Sequence, residues 1–385
     1  MPALSAITGL GVSALSREDI GSTRDLAIEA VRAAVYDADL KMADIDGLLL
    51  CKSPSATIDN LPLHLRNDLA MGPLGLLCNV EGEGTSVMQS LHYATLAIRQ
   101  GMARRVVCVF SDARIQAGGT SNAYAKPMVL SGIPDWESMH GVYGALGAYA
   151  FNAREYMDTF ALNGQAFGHY AIACRRWALL NPAAFAHEDL TMDQYLDSRF
   201  IVEPLRLLDC ALPVNGAAAV VVEAASRAGI NGHAAVCLHG IGQGHSTEDG
   251  QGMSNPHDGA RTAASTAIAM AGIGLDEITQ LQAYDPFSSV GLQLLEAYGF
   301  CRKGQAAAFV ESGATSPGGR LPMNTGGGHL SGFYLQGMTP VIEAVQQLRG
   351  IAQGRQCPIG PVLVGGLGGC FEYNATVILC GREVS

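Results

Sequence analysis

Two stretches about half a chain apart repeat one order of patterns: DLAIEAVRAAVYDADLKMADIDGLLLC (25–51) and RTAASTAIAMAGIGLDEITQLQAY (261–284). Each places apolar residues at helical spacing, then a short acidic connection (DI or EI), then an apolar strand. Each half later carries a glycine-rich turn that opens a long helix, EGEGTSVMQSL (81–91) and NTGGGHLSGF (324–333). A repeat this long implies two similar α/β halves packed together, not a solenoid. Sites in open α/β sheets lie at strand C-termini and helix N-termini. If the halves face each other, the two glycine turns are expected to converge on one pocket.

The rest of the chain keeps this rhythm. Strand-like runs are LLLC (48–51), RVVCVF (105–110), AAAVVVE (217–223), LQAY (281–284), PVLVG (361–365) and NATVILC (374–380), separated by helical patterns such as SSVGLQLLEAYG and TPVIEAVQQLRG. Such alternation indicates an α/β fold. The segment of about 113–205 departs from it and reads as a large insertion with one long helical pattern, AREYMDTFALNGQAFGHYAIACRRWALL.

Composition narrows the partners. Charged residues make up 15% of the 385, against roughly 25% in an average soluble domain. With 47 glycines, this suggests tight layers and an oligomer. A net charge of −11 with only isolated basic pairs (Arg104–Arg105, Arg175–Arg176, Arg302–Lys303) argues against nucleic acid. No apolar run approaches the ~20 residues that span a membrane, and MPALSAITGLG lacks the basic start of a signal peptide. Ten cysteines without CxxC pairs fit reduced thiols, so a cytoplasmic protein is expected.

Other chemistries find little support. GLGVSA (9–14) loosely matches a dinucleotide fingerprint, but the helical pattern starts only near Asp25. A glycine turn after an edge strand explains it better. His233, His239 and His245 recur every six residues, yet HGIGQGH is too glycine-rich to trust as a strand, so no metal is expected. In EGEGTSV, helix N-terminal amides can bind an oxyanion, or Thr85 or Ser86 simply caps the helix. GGLGGC (365–370) either adds amides to the same pocket or is a tight β connection.

The ordered series EGEGTSVMQSLHYATLAIRQGMARRVVCVFSD, PLRLLDCALPVNGAAAVVVEAA, AYDPFSS, NTGGGHLSGFYLQG and VGGLGG resembles the thiolase superfamily from end to end. The resemblance implies a thiolase fold: duplicated βαβαβαββ halves, layered α-β-α-β-α, with an inserted loop domain, acting on coenzyme A thioesters as a dimer. The halves would span 1–226, including the insertion at about 113–205, and 227–385. The departures concern the chemistry. Gly84 stands where thiolases carry the nucleophilic cysteine, with Ser86 on the motif's serine. Tyr284 in YDPF replaces the asparagine of their N-E-A-F loop, and Tyr334 falls on the histidine of their G-H-P. Their second cysteine is missing from VGGLGG; Cys370 lies beyond the turn.

Without a thiolate no acyl-enzyme forms, so thiolysis by the usual route is not expected. Two inserted tyrosines make the chain similar to steroid side-chain aldolases, the thiolase-like lipid-transfer proteins, whose paired tyrosines act on a β-hydroxyacyl-CoA. Retro-aldol cleavage needs a base for the hydroxyl, a sink for the enolate and an acid for the carbanion. Tyr284 is assigned as base and Tyr334 as acid, or the reverse, provided the site lowers the base's pKa from about 10. Amides of Gly84, Gly327, Gly328 and Gly368, with Ser86, are the candidate CoA or oxyanion contacts. Asp285 and His329 are further candidates for substrate, CoA or oxyanion contact and for tuning the phenols, and Asn215 reads as structural. No cofactor is expected beyond the substrate's own CoA.

Three classes remain open on sequence: an aldolase, a non-catalytic acyl-CoA or sterol-binding subunit, and an acetyl-CoA acyltransferase using a remaining cysteine. The resemblance also implies a homodimer flanked by two small zinc-ribbon/OB-fold partners, sometimes fused to a hydratase, in a heterotetramer. The chain's own lack of a basic cluster for CoA phosphates points the same way.

Overall fold

The computed structural model describes residues 2–54, 61–115, 139–140, 144–227, 235–245 and 256–381. The first half runs β1 (Ser5–Val12), α1 (Thr23–Asp37), β2 (Gly47–Cys51), α2 (Leu61–Asp68), β3 (Leu76–Val80), α3 (Ser86–Arg99) and β4 (Arg105–Asp112). The inserted region follows, with α4 (Gly144–Phe160), α5 (Gln165–Ala178), α6 (Met192–Asp197) and the hairpin β5 (Phe200–Val202) and β6 (Leu205–Arg206); β7 (Gly216–Glu223) then returns to the sheet. The second half is β8 (Val236–His245), α7 (Pro256–Ala271), β9 (Gln280–Ala283), α8 (Ser288–Ala297), α9 (Ala306–Glu311), α10 (Met338–Leu348), β10 (Val362–Gly368) and β11 (Tyr373–Gly381).

Nine strands form one mixed sheet in the order β3-β2-β4-β7-β1-β8-β11-β10-β9. Read outward from its centre, each side has the same sequence of pairings. β1 and β8 pair antiparallel with β7 and β11, these antiparallel with β4 and β10, and those parallel with β2 and β9. The outermost parallel partner is β3 on one side; on the other it shrinks to a single bridge between Leu281 and Met323. The halves join where Ser5–Ile7 pair with Val236–Leu238.

Between the two sides of the sheet lie α3 and α10. One core cluster joins Val87, Met88 and Leu91 of α3 with Val341, Ile342 and Val345 of α10, flanked by β4 and β7 from one half and β10 and β11 from the other. Of the α10 residues only Gln346 is not fully buried, as expected for a helix covered on all sides. α1 and α2 cover one outer face, and α7 and α8 lie in the cluster on the opposite one. This is the expected α-β-α-β-α order.

Two glycine motifs turn out to be strand interiors. Gly9 and Gly11 lie within central β1, not in a turn beyond an edge; a Cβ on either would run into the Ala34 or Ala30 carbonyl of α1. HGIGQGH is likewise regular strand: Gly240, Gly242 and Gly244 of β8 admit the α7 backbone in the same way. Both central strands thus need glycine for helix–sheet approach. His239 is the extra residue of a β-bulge and His245 ends the strand, about 20 Å further on; His233 lies outside the described residues. Among the described residues, no cluster of His, Cys, Asp and Glu could hold a metal, and no helix is long and apolar enough to cross a membrane.

Candidate active site

The two glycine turns do meet. A short 3₁₀ turn, Glu83–Thr85, leads into α3, and a π-turn, Gly328–Gly332, precedes α10. A Cβ on Gly337 would lie 2.5 Å from the Gly84 carbonyl oxygen, and one on Gly366 of β10 would lie 2.8 Å from the same atom. GGLGG is therefore mainly strand, and its glycines let the Glu83–Thr85 turn lie on β10. Gly368 serves the Gly82–Glu83 side of that turn, where its Cβ would sit 2.8 Å from the Gly82 carbonyl. The Glu83 carboxylate accepts from the Gly369 N–H at 2.7 Å and closes the contact.

Neither Thr85 nor Ser86 caps α3 as expected. Thr85 donates to the Gly82 carbonyl at 2.6 Å; Ser86 donates to the Glu83 carbonyl at 2.7 Å and accepts from the Gly82 N–H at 3.0 Å. Both hydroxyls shape the turn, so the oxyanion role for the Ser86 side chain is not supported.

Tyr284 follows directly on β9, and its phenol lies 2.9 Å from that of Tyr334, the residue paired through a bridge with Pro213. Both tyrosines are buried. Gly84 is the floor beneath Tyr284: a Cβ there would sit 2.7 Å from Tyr284 Cζ and collide with the Leu367 carbonyl oxygen. The ring of Tyr284 thus occupies the space that a side chain at 84 would need.

His329 packs beside both tyrosines, its ring 5.0 Å from that of Tyr284 and 5.2 Å from that of Tyr334. Its Nε2 faces the Gln336 carbonyl at 2.8 Å and so carries hydrogen. Its Nδ1 lies 2.6 Å from Asp285 Oδ1 and 3.1 Å from the Asp285 backbone nitrogen. Asp285 also accepts the His329 N–H at 2.9 Å and the Tyr170 hydroxyl at 3.0 Å. Tyr170 in turn accepts from Asn324 Nδ2 at 3.0 Å, and Asn324 Oδ1 takes the Ala283 N–H at 2.7 Å. The network holds both tyrosine loops, since Ala283 and Asp285 flank Tyr284 while His329 precedes Tyr334. Gly328 lets Asp285 approach and Gly327 packs on Ala178 of α5. Gly328 thus builds the carboxylate's niche, while Gly327 lets α5 approach.

Electrostatics oppose one expectation. Neither phenol is lowered. Burial pushes Tyr284 up, reinforced by the neighbouring Tyr334 and Tyr149. Burial also pushes Tyr334 up, against the relief of its hydrogen bond from Tyr284, and the Asp112 and Glu83 carboxylates add to the rise. In the chain by itself both phenols stay protonated at neutral pH.

Sequence reasoning missed Tyr170, Asn324, Glu83, Asp112 and Gln336. Only Asn324 had a readable signal, as the residue opening the triple glycine. Five non-glycine residues of these loops (Glu83, Asn324, Gln336, Cys370 and Phe371) adopt left-handed backbone, a local cost that persists at sites the surroundings over-determine. Asn215 is structural as read, its amide gripping both backbone groups of Ile115 at 2.8 and 2.6 Å.

Cys174 donates to Asp285 Oδ2 at 3.7 Å, and burial, with that carboxylate, pushes its thiol up. Burial raises Cys51, Cys210, Cys301 and Cys357 to about 12, so they are poor nucleophiles at neutral pH. Iodoacetamide at neutral pH is therefore expected to leave turnover intact. Stoichiometric inactivation traced to one cysteine and prevented by acyl-CoA would revive the acyltransferase reading.

Comparison with known proteins fits this geometry. Residues 242–381 match the thiolase C-terminal domain-like family. A steroid side-chain-cleaving aldolase of Thermomonospora curvata is 31% identical, over 94% of this chain and 95% of its own. The 17-hydroxy-3-oxo-4-pregnene-20-carboxyl-CoA lyase of Mycobacterium tuberculosis is 32% identical, over 94% of this chain and 95% of its own. The solved Ltp2-ChsH2(DUF35) aldolase superposes with a TM-score of 0.87 at 30% identity, covering 100% of this chain and 99% of that one. With a thiolase fold, a glycine where thiolysis needs its cysteine and a tyrosine pair beside it, the chain belongs to the thiolase superfamily, in its group of thiolase-like aldolases.

Proposed function

We propose that the protein is a carbon–carbon lyase that cleaves a β-hydroxyacyl-CoA, a steroid side-chain CoA thioester, into a ketone or aldehyde and acetyl- or propionyl-CoA. The observation that carries this reading is the buried 2.9 Å contact between the Tyr284 and Tyr334 phenols, beside a glycine in the nucleophile position. As the C–C bond breaks, one phenol takes the substrate's hydroxyl proton while passing its own across the phenol–phenol hydrogen bond to the other phenol, which gives its proton to the α-carbon. The bonding electrons pass through the thioester enolate into the new C–H bond, and both phenols end neutral. Because both phenols are held neutral, deprotonation and bond cleavage proceed together, with no standing phenolate. The amides of the Gly84 and Gly368 turns hold the enolate oxygen. Asp285 and His329 fix the two loops rather than touching CoA.

The catalytic halves are 1–226 and 227–385, and the working unit is a homodimer with two partner chains. β3 supports the dimer: it is an edge strand with exposed Leu77, Cys78 and Asn79, next to exposed Tyr93 and Leu96 of α3. Such an edge is a template for pairing with a second copy. A zinc-ribbon/OB-fold partner, alone or fused to a hydratase, supplies cations for the CoA phosphates; one similar protein of solved structure is the Ltp2-ChsH2(DUF35) aldolase. Incubation with a β-hydroxyacyl-CoA of a steroid acid should release free ketone, detected by mass spectrometry, and do so faster with the partner present. Tight binding without ketone, with and without the partner, would make the chain a binding subunit instead. A fully active dimer of this polypeptide alone would remove the need for a partner.

A further inference from the structure

We infer that Asp209 is a positioning residue of the phenol pair, its buried carboxylate anchoring the segment 210–213 to which both tyrosine loops are bonded. This rests on the proposed role of the two tyrosines. The Ala211 N–H donates at 2.9 Å to the carbonyl of Pro286, in the loop that carries Tyr284. The next residue, Leu212, donates its N–H to the His329 carbonyl at 2.8 Å, and its own carbonyl accepts the Tyr334 N–H at 3.0 Å. Bridges pair Cys210 with Phe287 and Pro213 with Tyr334. Adjacent residues of one short segment thus set where each loop lies, and with them the 2.9 Å between the phenols.

Residues 210–213 are themselves only half-buried, so the segment depends on its ends. At the far end Asn215 is held by Ile115 through its amide and by Ser16 through backbone bonds of 2.7 and 3.0 Å. At the near end Asp209 is fully buried and joins three pieces of chain. Both its carboxylate oxygens lie 2.8 Å from the Tyr195 hydroxyl of α6, and Oδ2 accepts the Arg206 N–H at 2.7 Å. Oδ1 also accepts the hydroxyl of Ser288, the residue that opens α8 just past the Tyr284 loop. Each of these partners donates, a set that suits a carboxylate because it has only acceptor sites. Burial raises the pKa of the carboxyl, and the bonds from Ser288, Arg206 and Tyr195 oppose this only in part. A buried charge is a poor means of gaining stability. Its use here is placement: the Ser288 bond ties the start of the segment to the Tyr284 loop, and the next three residues carry that position to Tyr334.

The test uses the full chain and two variants. Asp209→Asn keeps the size but replaces one acceptor oxygen with an NH₂ group; Ser288→Ala removes only the bond to α8 and serves if the first fails to fold. In either, kcat should fall by about 10-fold or more, as small misplacements of reacting groups do, with KM little changed. Made again in a Tyr334→Phe background, the same change should cost almost nothing further, since the pair it positions is already broken. A merely structural role would cost the same factor in both backgrounds. A fluorotyrosine at position 334 gives a fluorine NMR resonance that should shift in the variants as the phenol contact changes. An unmoved resonance, or an equal loss of kcat in both backgrounds, overturns the inference. The resonance needs no turnover, so it decides the role of Asp209 even where the aldolase reading itself fails.

Discussion

Tyr284→Phe and Tyr334→Phe each lower kcat by roughly 10²- to 10⁴-fold, the usual contribution of a positioned acid or base. Each removes one oxygen and keeps the ring. The 2.9 Å hydrogen bond between the phenols is lost, but a net hydrogen bond is worth only about 1 kcal/mol, so the melting temperature should change little. The split matters: large on kcat, small on stability. The double variant should lose little more than the worse single one, because two groups that share one proton circuit act as a unit. Wild-type turnover in both single variants would make the pair packing residues and end the proposed mechanism.

The fold was largely legible because its signals are long. Six strand-like runs and five helical patterns appear as β2, β4, β7, β9, β10, β11 and as α1, α3, α7, α8, α10. β1 was read as an edge strand ending in a glycine turn, and β8 was not trusted as a strand, because their glycines mimic loops; those glycines answer to helices packed on them, which a one-dimensional pattern does not reveal. The convergence of the two turns followed from the repeat, and the tyrosine positions from the resemblance. What stayed hidden depends on direction and charge. Nothing in AREYMDTFALNGQAFGHYAIACRRWALL marks Tyr170, in α5, as the residue that reaches Asp285 through the gap left by Gly291 of α8. Nor does a sequence tell a raised phenol from a lowered one. The acidic neighbours Asp112 and Glu83 reach Tyr334 from β4 and from the 3₁₀ turn, 222 and 251 positions away by subtraction of their numbers.

Restoring the missing nucleophile should damage the protein instead of making a thiolase. In Gly84→Cys the new Cβ would meet the Leu367 carbonyl oxygen and lie 2.7 Å from Tyr284 Cζ. The first is backbone of β10 and the second a buried ring, so neither yields as the tip of a flexible chain would. Overpacking of this kind costs about 1–3 kcal/mol, at the upper end here because a strand must shift. The displaced ring is Tyr284, so aldol cleavage should fall together with the melting temperature. Thiolysis of a 3-ketoacyl-CoA should stay absent, since Tyr334 occupies the histidine position and β10 (Val362–Gly368) carries no cysteine. Gly84 and Tyr284 are then a matched pair, a small residue beneath a large one. Gly84→Cys combined with Tyr284→Asn should be more stable than Gly84→Cys alone, a coupling that a double-mutant cycle of melting temperatures reads directly. If Gly84→Cys by itself melted with the wild type and kept its turnover, position 84 would have room that the geometry denies, and the absence of a thiolate would be no consequence of the tyrosine above it.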